Sequence, residues 1–516
     1  SVTKGALALG STAGISGADT NGADGTFSIQ GTVSAINQAL NGLAYTPNSG
    51  YSGADTLTII TSDLGSYGAG GAKTDTDTIS LTVSNPISFL VDDNYNGSSA
   101  DWGWNTFASI EAAMTAADSV AAINGSGGPA LTMTVNAGDY ANDGVTLNNA
   151  KLTLNLVGAV TLGKDFALTS GAFNAAGYPV SFVTGPSSQT NHVISGAPVF
   201  ADLTAAAGNT ITLADGANLG LSGALSVPAP ENFVAALPDG RTTVTLSGTP
   251  VLPSGLTLDN LTVAASATLN TPAALTLTGN LTNNGSFDGS GGTLTFAGPQ
   301  ARNQTISGTA PQLANVTINA DATVTAATPQ FVTGNWTDNG SYNANHQMVT
   351  FNGSSQAFNG QTVFDDVTVN DGAMVTLGNL ADFGYTGAVT LNGSGMIDPV
   401  SGTDTIFRLA GSSSQTLPVG LDQFDTLAVN TGATLDASGR DLTIYNDLDS
   451  SGFLTNTSGS VNFSGPVATQ HEIVVGDNQP QFGDVSIASG NTVTPTTGKR
   501  INVSGDWTDN GTFIAN

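Results

Sequence analysis

One nine-residue motif recurs along this 516-residue chain, and its repetition constrains the fold more than any other feature. The repeated motif is GNLTNNGSF from residue 279, GNWTDNGSY from 334 and GDWTDNGTF from 505, with a weaker NDLDSSGFL from 446. The intervals are 55, 112 and 59 residues, and a degenerate copy, GAVTLNGSGMI, near 387 divides the longest into two. A period of roughly 56 residues predicts a repeat protein in which each unit packs against its neighbours.

The third position of the repeated motif stays apolar and holds Leu281, Trp336, Val389, Leu448 and Trp507. In a parallel β-helix, equivalent residues of successive coils lie about 4.8 Å apart and pack in columns. We therefore predict that these five side chains share one column in the core. A coil takes roughly 18 to 28 residues, so one period should span two or three coils and the helix should hold about 15 to 21.

The composition favours strands and turns. Charged residues make up 9% of the chain, Gly numbers 65, and Glu occurs only three times. The Glu, Lys and Arg that helices carry on their solvent faces are therefore scarce, whereas β-branched and turn-forming residues abound. We predict an all-β protein.

The charge balance bears on partners. Ten basic residues stand against 39 acidic ones, a net charge of −29, which disfavours nucleic acid and anionic membranes and favours cations. Because the chain has no Cys, it has no disulfide, thiolate metal site or thiol nucleophile. No apolar run approaches the 18 or so residues of a membrane span, so we predict none in this segment.

Residues 1–86 alternate short strands such as GTFSIQG and DTLTIIT with turns rich in Gly, Asp and Asn, a pattern typical of a β-sandwich. The stretch from GTVSAINQALNGLAYTP through GADTLTI to DTDTISLTV resembles the cadherin-like modules that giant bacterial adhesins repeat in tandem. The resemblance covers residues 1–84 and implies a sandwich fold. Such modules open with a further strand before the equivalent of SVTKGALALG, so we expect this one to be incomplete at its N-terminus, with one bare edge.

The same resemblance suggests a calcium site. Related modules gather acidic side chains near their ends, where this chain has Asp63, Asp75 and Asp77. Asp75 and Asp77 project from one face if their segment is extended. Solvated charges that protect a sheet edge are the alternative interpretation.

We assign residues 87–516 to a second domain, in which the linker SNPIS is followed from residue 89 by FLVDDNYNGSSADWGWNTFASIEAAMTAADSVAAINGSGGPALTMTVNAGDY. This segment resembles the entry into right-handed parallel β-helices of the pectate-lyase-like (haemagglutinin-like) type. Apolar residues at helical spacing predict one α-helix near residues 106–122: Ile110, Met114, Ala117 and Ala121. We expect this helix to cap the first coil, whose apolar core would otherwise be exposed.

The search for catalytic chemistry gives weak candidates. Pectate-lyase-like elimination uses a basic residue beside calcium-binding carboxylates, and GRD at 439–441 comes nearest to that arrangement. Hydrolysis of a glycosidic bond needs two carboxylates, which FDD at 364–366 or DLDS at 447–450 offers, although paired Asp residues are common at turn edges. His192, His346 and His471 lack metal-site spacing, and we expect ordinary polar surface or turn residues. We predict no enzymatic activity.

These observations favour a structural segment of a large extracellular bacterial surface or secreted fibre protein, serving adhesion, cell covering or matrix. Its expected partners are further modules of the same chain or other copies of it. One alternative is a carbohydrate-binding adhesin in which Trp102 and Trp104 stack against cell-surface glycans. A second alternative is a glycan-active β-helix enzyme.

Both ends of the chain look unfinished. The last copy of the repeated motif stops before the strand that follows other copies, such as TLTF after 287. We expect either a longer chain or a neighbouring subunit that covers the open coil and forms a head-to-tail fibre.

Overall fold

A computed structural model describes residues 1–48, 51, 53–65, 70–83, 87–96, 105–124, 128–235, 241–299, 302–400 and 402–515. The chain forms two compact units. The first unit comprises Ser1–Gly138, Thr146–Val157 and Ser170–Ala172, and the second comprises Asp139–Val145, Gly158–Thr169 and Phe173–Asn516. The predicted boundary near residue 86 falls among residues 84–86, outside the described residues, and stays a prediction.

The first unit opens with antiparallel strand pairs. Its strands here are β1 (Gly5–Ala8), β2 (Ile15–Asp19), β3 (Ser28–Gly31), β4 (Ala44–Pro47), β5 (Gly53–Ser62) and β6 (Thr74–Val83). They pair as β1 with β4, β2 with β3 and β5 with β6, and Val2, Leu7 and Leu57 form the core between them. The predicted β-structure is confirmed, and its cadherin-like arrangement stays a prediction.

A short helix, α1 (Val33–Leu40), lies within this antiparallel part and was not predicted from the sequence. Thr32 caps it, because its Oγ1 accepts a hydrogen bond of 3.2 Å from the N–H of Ala35. A threonine before an apolar segment is a recognisable helix start, so the sequence contained the information.

The predicted capping helix is present as α2 (Ile110–Asn124). It begins later than expected, because Thr106–Phe107 forms the strand β8 and the Oγ of Ser109 accepts from the N–H of Ala112 at the helix start. The apolar side of α2 is buried against β7 (Ser88–Val91), β8 and β9 (Leu131–Val135), through Ile110, Ala113, Met114 and Ala117.

A right-handed parallel β-solenoid of about 18 turns follows, which confirms the predicted architecture and number of coils. Its next strands are β10 (Gly138–Tyr140), β11 (Val145–Leu156), β12 (Val160–Leu162), β13 (Phe166–Asn174), β14 (Val180–Phe182), β15 (Asn191–Gly196), β16 (Val199–Phe200), β17 (Leu203–Ala205), β18 (Thr210–Leu213), β19 (Asn218–Leu221), β20 (Leu225–Ser226), β21 (Phe233–Val234) and β22 (Thr243–Leu246). Two short 3₁₀ helices, Pro186–Ser188 and Pro230–Asn232, interrupt them.

The solenoid continues with short strands separated by tight corners. The middle strands are β23 (Leu256–Leu258), β24 (Asn260–Val263), β25 (Thr268–Asn270), β26 (Ala274–Leu277), β27 (Leu281–Asn283), β28 (Ser286–Phe296), β29 (Asn303–Gly308), β30 (Gln312–Ile318), β31 (Thr323–Ala326), β32 (Gln330–Val332), β33 (Trp336–Asp338), β34 (Ser341–Asn343), β35 (Val349–Phe351), β36 (Gln356–Phe364), β37 (Val367–Val369), β38 (Met374–Leu377), β39 (Asp382–Tyr385), β40 (Val389–Leu391), β41 (Met396–Asp398) and β42 (Ile406–Leu409). The final strands are β43 (Ser414–Gln415), β44 (Gln423–Phe424), β45 (Thr426–Val429), β46 (Thr434–Asp436), β47 (Leu442–Ile444), β48 (Leu448–Ser450), β49 (Phe453–Phe463), β50 (Gln470–Val475), β51 (Gln481–Ile487), β52 (Thr492–Pro495), β53 (Asn502–Val503), β54 (Trp507–Asp509) and β55 (Thr512–Phe513).

From β23 onward each turn has three faces, called A, B and C. The longer strands β28, β30, β36, β49 and β51 bend at a corner, so each supplies two faces. Face A contains β23, β26, the second half of β28 and of β30, β33, the first half of β36, β38, β41, β44, β47, the second half of β49 and of β51, and β54. Face B contains β24, β27, β29, β31, β34, the second half of β36, β39, β42, β45, β48, β50, β52 and β55. Face C contains β25, the first half of β28 and of β30, β32, β35, β37, β40, β43, β46, the first half of β49 and of β51, and β53.

The predicted single column of the repeated motif is wrong. Leu281 pairs with Leu261 and Ile306 on face B, whereas Trp336 pairs with Val316 and Phe358 on face A. The remaining three copies lie on face C with Val389, on face B with Leu448 and on face A with Trp507.

The reason is the number of strands in one period. Eight strand segments separate each copy from the next, and eight segments at three per turn make two turns and two thirds of another. Successive copies of the repeated motif therefore step from one face to the next, in the order B, A, C, B, A.

Candidate functional site

The repeated motif consists of a corner of the solenoid and the short strand that follows the corner. The first Gly of the motif lets the backbone at this corner lie close to the preceding turn. A Cβ atom on Gly334 would lie 2.5 Å from Oδ1 of Asn315, in the preceding turn. Gly279 has the same relation to Asn260, also at 2.5 Å. A side chain at this position would displace the Asn side chain in these two copies, so packing favours glycine here, whereas the copy from residue 446 has Asn446 at the same position.

The Asn or Asp after this Gly links three turns by hydrogen bonds. The N–H of Asn335 donates to Oδ1 of Asn315 at 2.8 Å, and Oδ1 of Asn335 accepts from the N–H of Ala357, in the following turn, at 2.8 Å. Asn280 repeats this arrangement with Asn260 and Thr305, both at 2.9 Å. Corresponding bonds from a backbone N–H to a carboxylate of the preceding turn join Ala388 to Asp366, Glu472 to Asp447 and Asp506 to Asp484.

The strand of the motif buries a polar residue as well as the apolar residue at the third position; in the copy from 334 these are Asp338 and Trp336. Trp336 is 1% exposed, and its Nε1–H donates to Oγ1 of Thr362 at 2.9 Å. The hydroxyl of Thr362 in turn donates to Oδ2 of Asp338 at 2.8 Å. Burial raises the pKa of the Asp338 carboxyl, although the hydrogen bonds from Thr362 and Gly340 oppose the shift. The network ties adjacent turns of the solenoid within the core.

A second Gly closes the motif. A Cβ atom on Gly340 would lie 2.5 Å from the carbonyl oxygen of Ala322 and closer still to that of Asn319. Gly285, Gly452 and Gly511 meet carbonyl oxygens of the preceding turn in the same way. The motif therefore contains two glycines because the chain passes close to the preceding turn at both ends of its short strand.

The carboxylate pairs proposed for hydrolysis take part in these structural contacts. Asp365 accepts from Oγ1 of Thr386 at 2.6 Å, and Asp366 accepts from the N–H of Ala388 at 2.7 Å. Asp449 accepts from the N–H of Ser451 at 2.9 Å, in its own turn. In GRD, Asp441 likewise accepts from the N–H of Ser460 at 3.0 Å. These bonds support the interpretation of paired Asp residues as turn-stabilising.

Four arginines of the solenoid pair with carboxylates on neighbouring segments: Arg241 with Asp215, Arg302 with Asp259, Arg408 with Asp382 and Arg440 with Asp422. The most extensive pair is that of Arg408, whose Nη1 also donates to Asn430 at 2.8 Å. A guanidinium engaged on both sides in this way joins consecutive turns.

The candidate calcium residues lie at the end of the β5–β6 hairpin. Oδ1 of Asp63 accepts from the backbone N–H groups of Lys73 at 2.8 Å and Gly65 at 2.9 Å, and these bonds lower the pKa of its carboxyl. Asp75 and Asp77 occupy alternate, exposed positions of β6, opposite Thr61 and Ile59. In the part of the chain that the structure describes, no cluster of three His, Asp or Glu residues has the arrangement of a metal site. The calcium site stays a prediction.

The tryptophan predictions have different outcomes. Trp102 and Trp104 lie outside the described residues. Trp336 is in the core, as predicted, whereas Trp507 is 38% exposed, which contradicts its predicted core position. Among the described residues Trp507 packs against Phe513, with ring centroids 4.9 Å apart, and β54 pairs with β51 on one side only.

Two histidines are buried, contrary to expectation. His192 is fully buried, stacks on Phe182 and has its Nε2 3.0 Å from Oδ1 of Asn209. His471 is 2% exposed, and burial lowers its pKa. In their strands both histidines alternate with buried apolar residues, His192 with Ile194, and His471 with Ile473 and Val475. This alternation could have been recognised in the sequence. His346 is exposed, as expected.

Sequence reasoning also missed a buried carboxylate in the first unit. Asp55 accepts hydrogen bonds from the N–H groups of Thr3 at 3.2 Å and Lys4 at 2.9 Å and from the hydroxyl of Tyr45 at 3.0 Å. Burial raises the pKa of this carboxyl, but the hydrogen bonds from Thr56, Thr3 and Lys4 outweigh it and lower the pKa below its usual range. Asp55 thus fixes the first residues of the chain onto β5.

Neither helix in the described parts of the chain has the length and apolar character needed to cross a membrane. Comparisons with protein families, with curated proteins and with solved structures found no match.

Proposed function

We propose that this chain is a structural segment of a large extracellular bacterial surface or secreted fibre protein, in which the solenoid separates or supports other modules. The observation that carries the proposal is the stepping of the repeated motif over faces A, B and C. A binding surface that repeats the same contact from turn to turn needs the same chemical groups on one face of adjacent turns. A repeat that steps between faces instead distributes the same corner around the solenoid, and this favours a scaffold.

The outward side chains agree with a scaffold. One row on face A consists of threonines in five consecutive turns: Thr257, Thr276, Thr295, Thr317 and Thr337. Threonine suits strand positions that are half exposed. The row presents neither the paired carboxylates of a glycosidase nor exposed aromatic rings that would stack on sugars.

The extracellular setting rests on composition and resemblance. The absence of Cys and the net charge of −29 are typical of very large secreted bacterial proteins. Further modules of the same chain, or other copies of it, are the partners that such a segment would have. Adhesion, cell covering and matrix all use segments of this kind.

A glycan array separates the structural role from the carbohydrate-binding alternative. We expect the full chain to be retained on no glycan above the background of a heat-unfolded sample, because the threonine row on face A offers no aromatic ring that would stack on a sugar. Saturable retention on one glycan class, abolished in a Trp102→Ala, Trp104→Ala double variant, would replace the structural proposal with the lectin one.

We also propose that the first part of the chain is a cadherin-like module that calcium stiffens through Asp63, Asp75 and Asp77. The support is the resemblance, the acidic balance and the exposure of Asp75 and Asp77 on one face of β6. Asp63 accepts hydrogen bonds from Lys73 and Gly65 at the end of the same hairpin.

Calcium is expected to slow hydrogen exchange of the β5 and β6 amides, because a ligand that binds only the folded hairpin stabilises it. Millimolar calcium should give this protection in the natural chain and lose it in the Asp75→Asn, Asp77→Asn double variant. Magnesium at the same concentration is the ionic-strength control. Equal protection by both ions, or protection by neither, would disprove the calcium site.

A further inference from the structure

A buried side chain lies one turn after each of four copies of the repeated motif and bonds to the first residue of that copy. After the copies from 279, 334 and 387 this side chain belongs to a glutamine: Gln304, Gln356 and Gln415. In each, Nε2 donates to the carbonyl of the first Gly of the motif, at 2.8, 2.8 and 3.0 Å, and Oε1 accepts from a backbone N–H a few residues earlier in the chain. Glutamine therefore satisfies both of its polar atoms inside the core.

After the copy from 446 a histidine takes this place. Nδ1 of His471 lies within hydrogen-bond distance of the carbonyl oxygen of Asn446, the first residue of this copy. Because a carbonyl oxygen only accepts, the neutral ring has its proton on Nδ1, and Nε2 is an acceptor. His471 is 2% exposed, and its Nε2 has no hydrogen bond of good geometry within the described parts of the chain. The imidazole thus satisfies one of its two nitrogens, where glutamine satisfies both polar atoms.

The following turn has a different residue beside the histidine. Two positions before the residue that pairs with each glutamine stands a buried alanine: Ala322, Ala373 and Ala433. The corresponding residue for His471 is Asn491, which is 1% exposed and has neither side-chain polar atom in a hydrogen bond of good geometry. The buried His192 likewise has Asn209 at this place, with 3.0 Å between Nε2 and Oδ1. Asparagine therefore accompanies histidine, and alanine accompanies glutamine.

Few charged groups lie near the imidazole of His471. The carboxylate of Asp447 is at the adjoining corner, where its Oδ1 accepts from the N–H of Glu472 at 2.7 Å, and it favours the charged imidazolium. Glu472 itself, like Asp449 on the neighbouring strand β48, alternates with buried residues and so lies on the outer side of face B. Asp447 is therefore the carboxylate that acts on the ring.

Apolar groups contribute most of the surroundings of the ring. Phe463 contacts it edge-on, with ring centroids 5.6 Å apart, and Val493 pairs with His471 from the following turn. This burial outweighs the attraction of Asp447 and of the neighbouring polar groups, and it lowers the pKa of the imidazole. The folded core thus favours the neutral form.

We propose that His471 and Asn491 make this turn of the solenoid sensitive to acid. Protonation occurs at Nε2, the nitrogen without a proton, and places a charge in the core beside an asparagine that does not offer it a well-aligned acceptor. A buried charge without full hydrogen bonding is costly, so the turn opens locally and the imidazolium reaches water. The glutamine turns take up no proton at this place and stay closed. The device goes beyond the structural role of the solenoid and does not depend on it.

The lowered pKa of His471 fixes the direction of the effect. An imidazole in the unfolded chain has its ordinary pKa of about 6.5, whereas that of His471 in the folded chain is lower. The stability that neutral His471 contributes is therefore complete above about pH 6.5 and is lost as the pH falls towards the lower, folded-state pKa. One proton taken up on opening changes the opening equilibrium by at most about tenfold per pH unit.

Hydrogen exchange of the full chain at pH 7 and at pH 5 tests the proposal. The reporters are the amides of Thr492 and Thr496, which donate to carbonyls of β50 on either side of His471, both at 2.9 Å. Their protection factors, which exclude the intrinsic effect of pH on exchange, should fall about tenfold. Ala327 and Gly378, whose amides donate across two of the glutamine turns, should keep their protection.

Replacing both members of the pair gives the matched control. His471→Gln with Asn491→Ala converts this turn to the glutamine type, so Thr492 and Thr496 should keep at pH 5 the protection that they have at pH 7. If the double variant is already unprotected at pH 7, His471→Gln alone takes its place.

The reverse exchange tests whether the pair is sufficient. Gln304→His with Ala322→Asn installs the pair in a turn that has no titratable group at this place, and the protection of Ala327 should then fall about tenfold between pH 7 and pH 5. A variant that is protected at pH 7 and equally protected at pH 5 would contradict the proposal.

Two further results would overturn it. One is unchanged protection of Thr492 and Thr496 at pH 5 in the natural chain. The other is an equal loss of protection in the His471→Gln, Asn491→Ala variant, or at Ala327 and Gly378, which would assign the effect to carboxylates that titrate throughout the chain.

Discussion

Replacing Trp336 by alanine is expected to lower the local free energy of unfolding by about 3 to 5 kcal/mol, the usual cost of truncating a buried Trp. The indole is 1% exposed and packs edge-on against Tyr342 and Phe364, with ring centroids 5.0 and 5.3 Å away. Loss of the indole also leaves the hydroxyl oxygen of Thr362 without the N–H group that donates a hydrogen bond to it. Hydrogen exchange at Val316 and Phe358, which pair with residue 336 on either side, measures the change.

Trp507→Ala is the matched control, because Trp507 has the same place in the repeated motif but is 38% exposed. Its truncation should cost less than half as much, measured at Val485, its neighbour in the preceding turn. Equal costs at the two sites would mean that burial does not distinguish them, contrary to the fold described.

Gly340→Ala is expected to lower the local free energy of unfolding by about 3 kcal/mol, at the upper end of what overpacking costs. The added methyl group would stand 2.5 Å from the carbonyl oxygen of Ala322, and Asn319 lies closer still. Both contacts are backbone atoms, so relief requires neighbouring turns to separate. Urea unfolding combined with hydrogen exchange of β31 and β34 reports the loss.

Gly291→Ala is the control for this substitution. The nearest atom to its added methyl group is the carbonyl oxygen of Thr271, at 3.7 Å, an ordinary contact. We expect a change within about 0.5 kcal/mol, as for surface substitutions generally. Comparable destabilisation by the two alanines would show that glycine content, rather than close approach at the corner, explains the motif.

The solenoid could be predicted from the sequence because its strands are short and alternate strictly. The apolar third position of the repeated motif identified Leu281, Trp336 and Leu448 as core residues, and all three are buried. The face on which each lies could not be predicted. An interval of 55 residues is compatible with two or with three turns. The face on which each copy lies depends on how many strand segments the interval contains, and only the structure shows that it contains eight, at three segments per turn.

The buried polar residues were missed for a different physical reason. His192 and His471 were judged by residue type, which suggests exposure, rather than by their parity with buried neighbours, and Asp55 was not singled out at all. His471 alternates with Ile473 and Val475, and Asp55 alternates with Leu57, so strand parity placed both on the core side. Their hydrogen-bond partners come from distant segments, such as Lys4 for Asp55, and no local pattern reveals those.

The central claim, that equivalent corners step around three faces of a scaffold, is tested most directly by removing one period. Deletion of residues 279–333 joins Thr278 to Gly334 and moves every later strand by one face relative to the earlier ones. The control deletion of residues 279–323 removes six strand segments, or two whole turns, but it also removes the corner residues Gly279 and Asn280 and the first residue of β31, so that β26 runs into β31 without a corner. Hydrogen exchange of residues 336–515 is the measurement. We expect protection there to survive the first deletion and to be lost near the junction in the second, whereas equal loss in both would contradict a scaffold built from interchangeable corners.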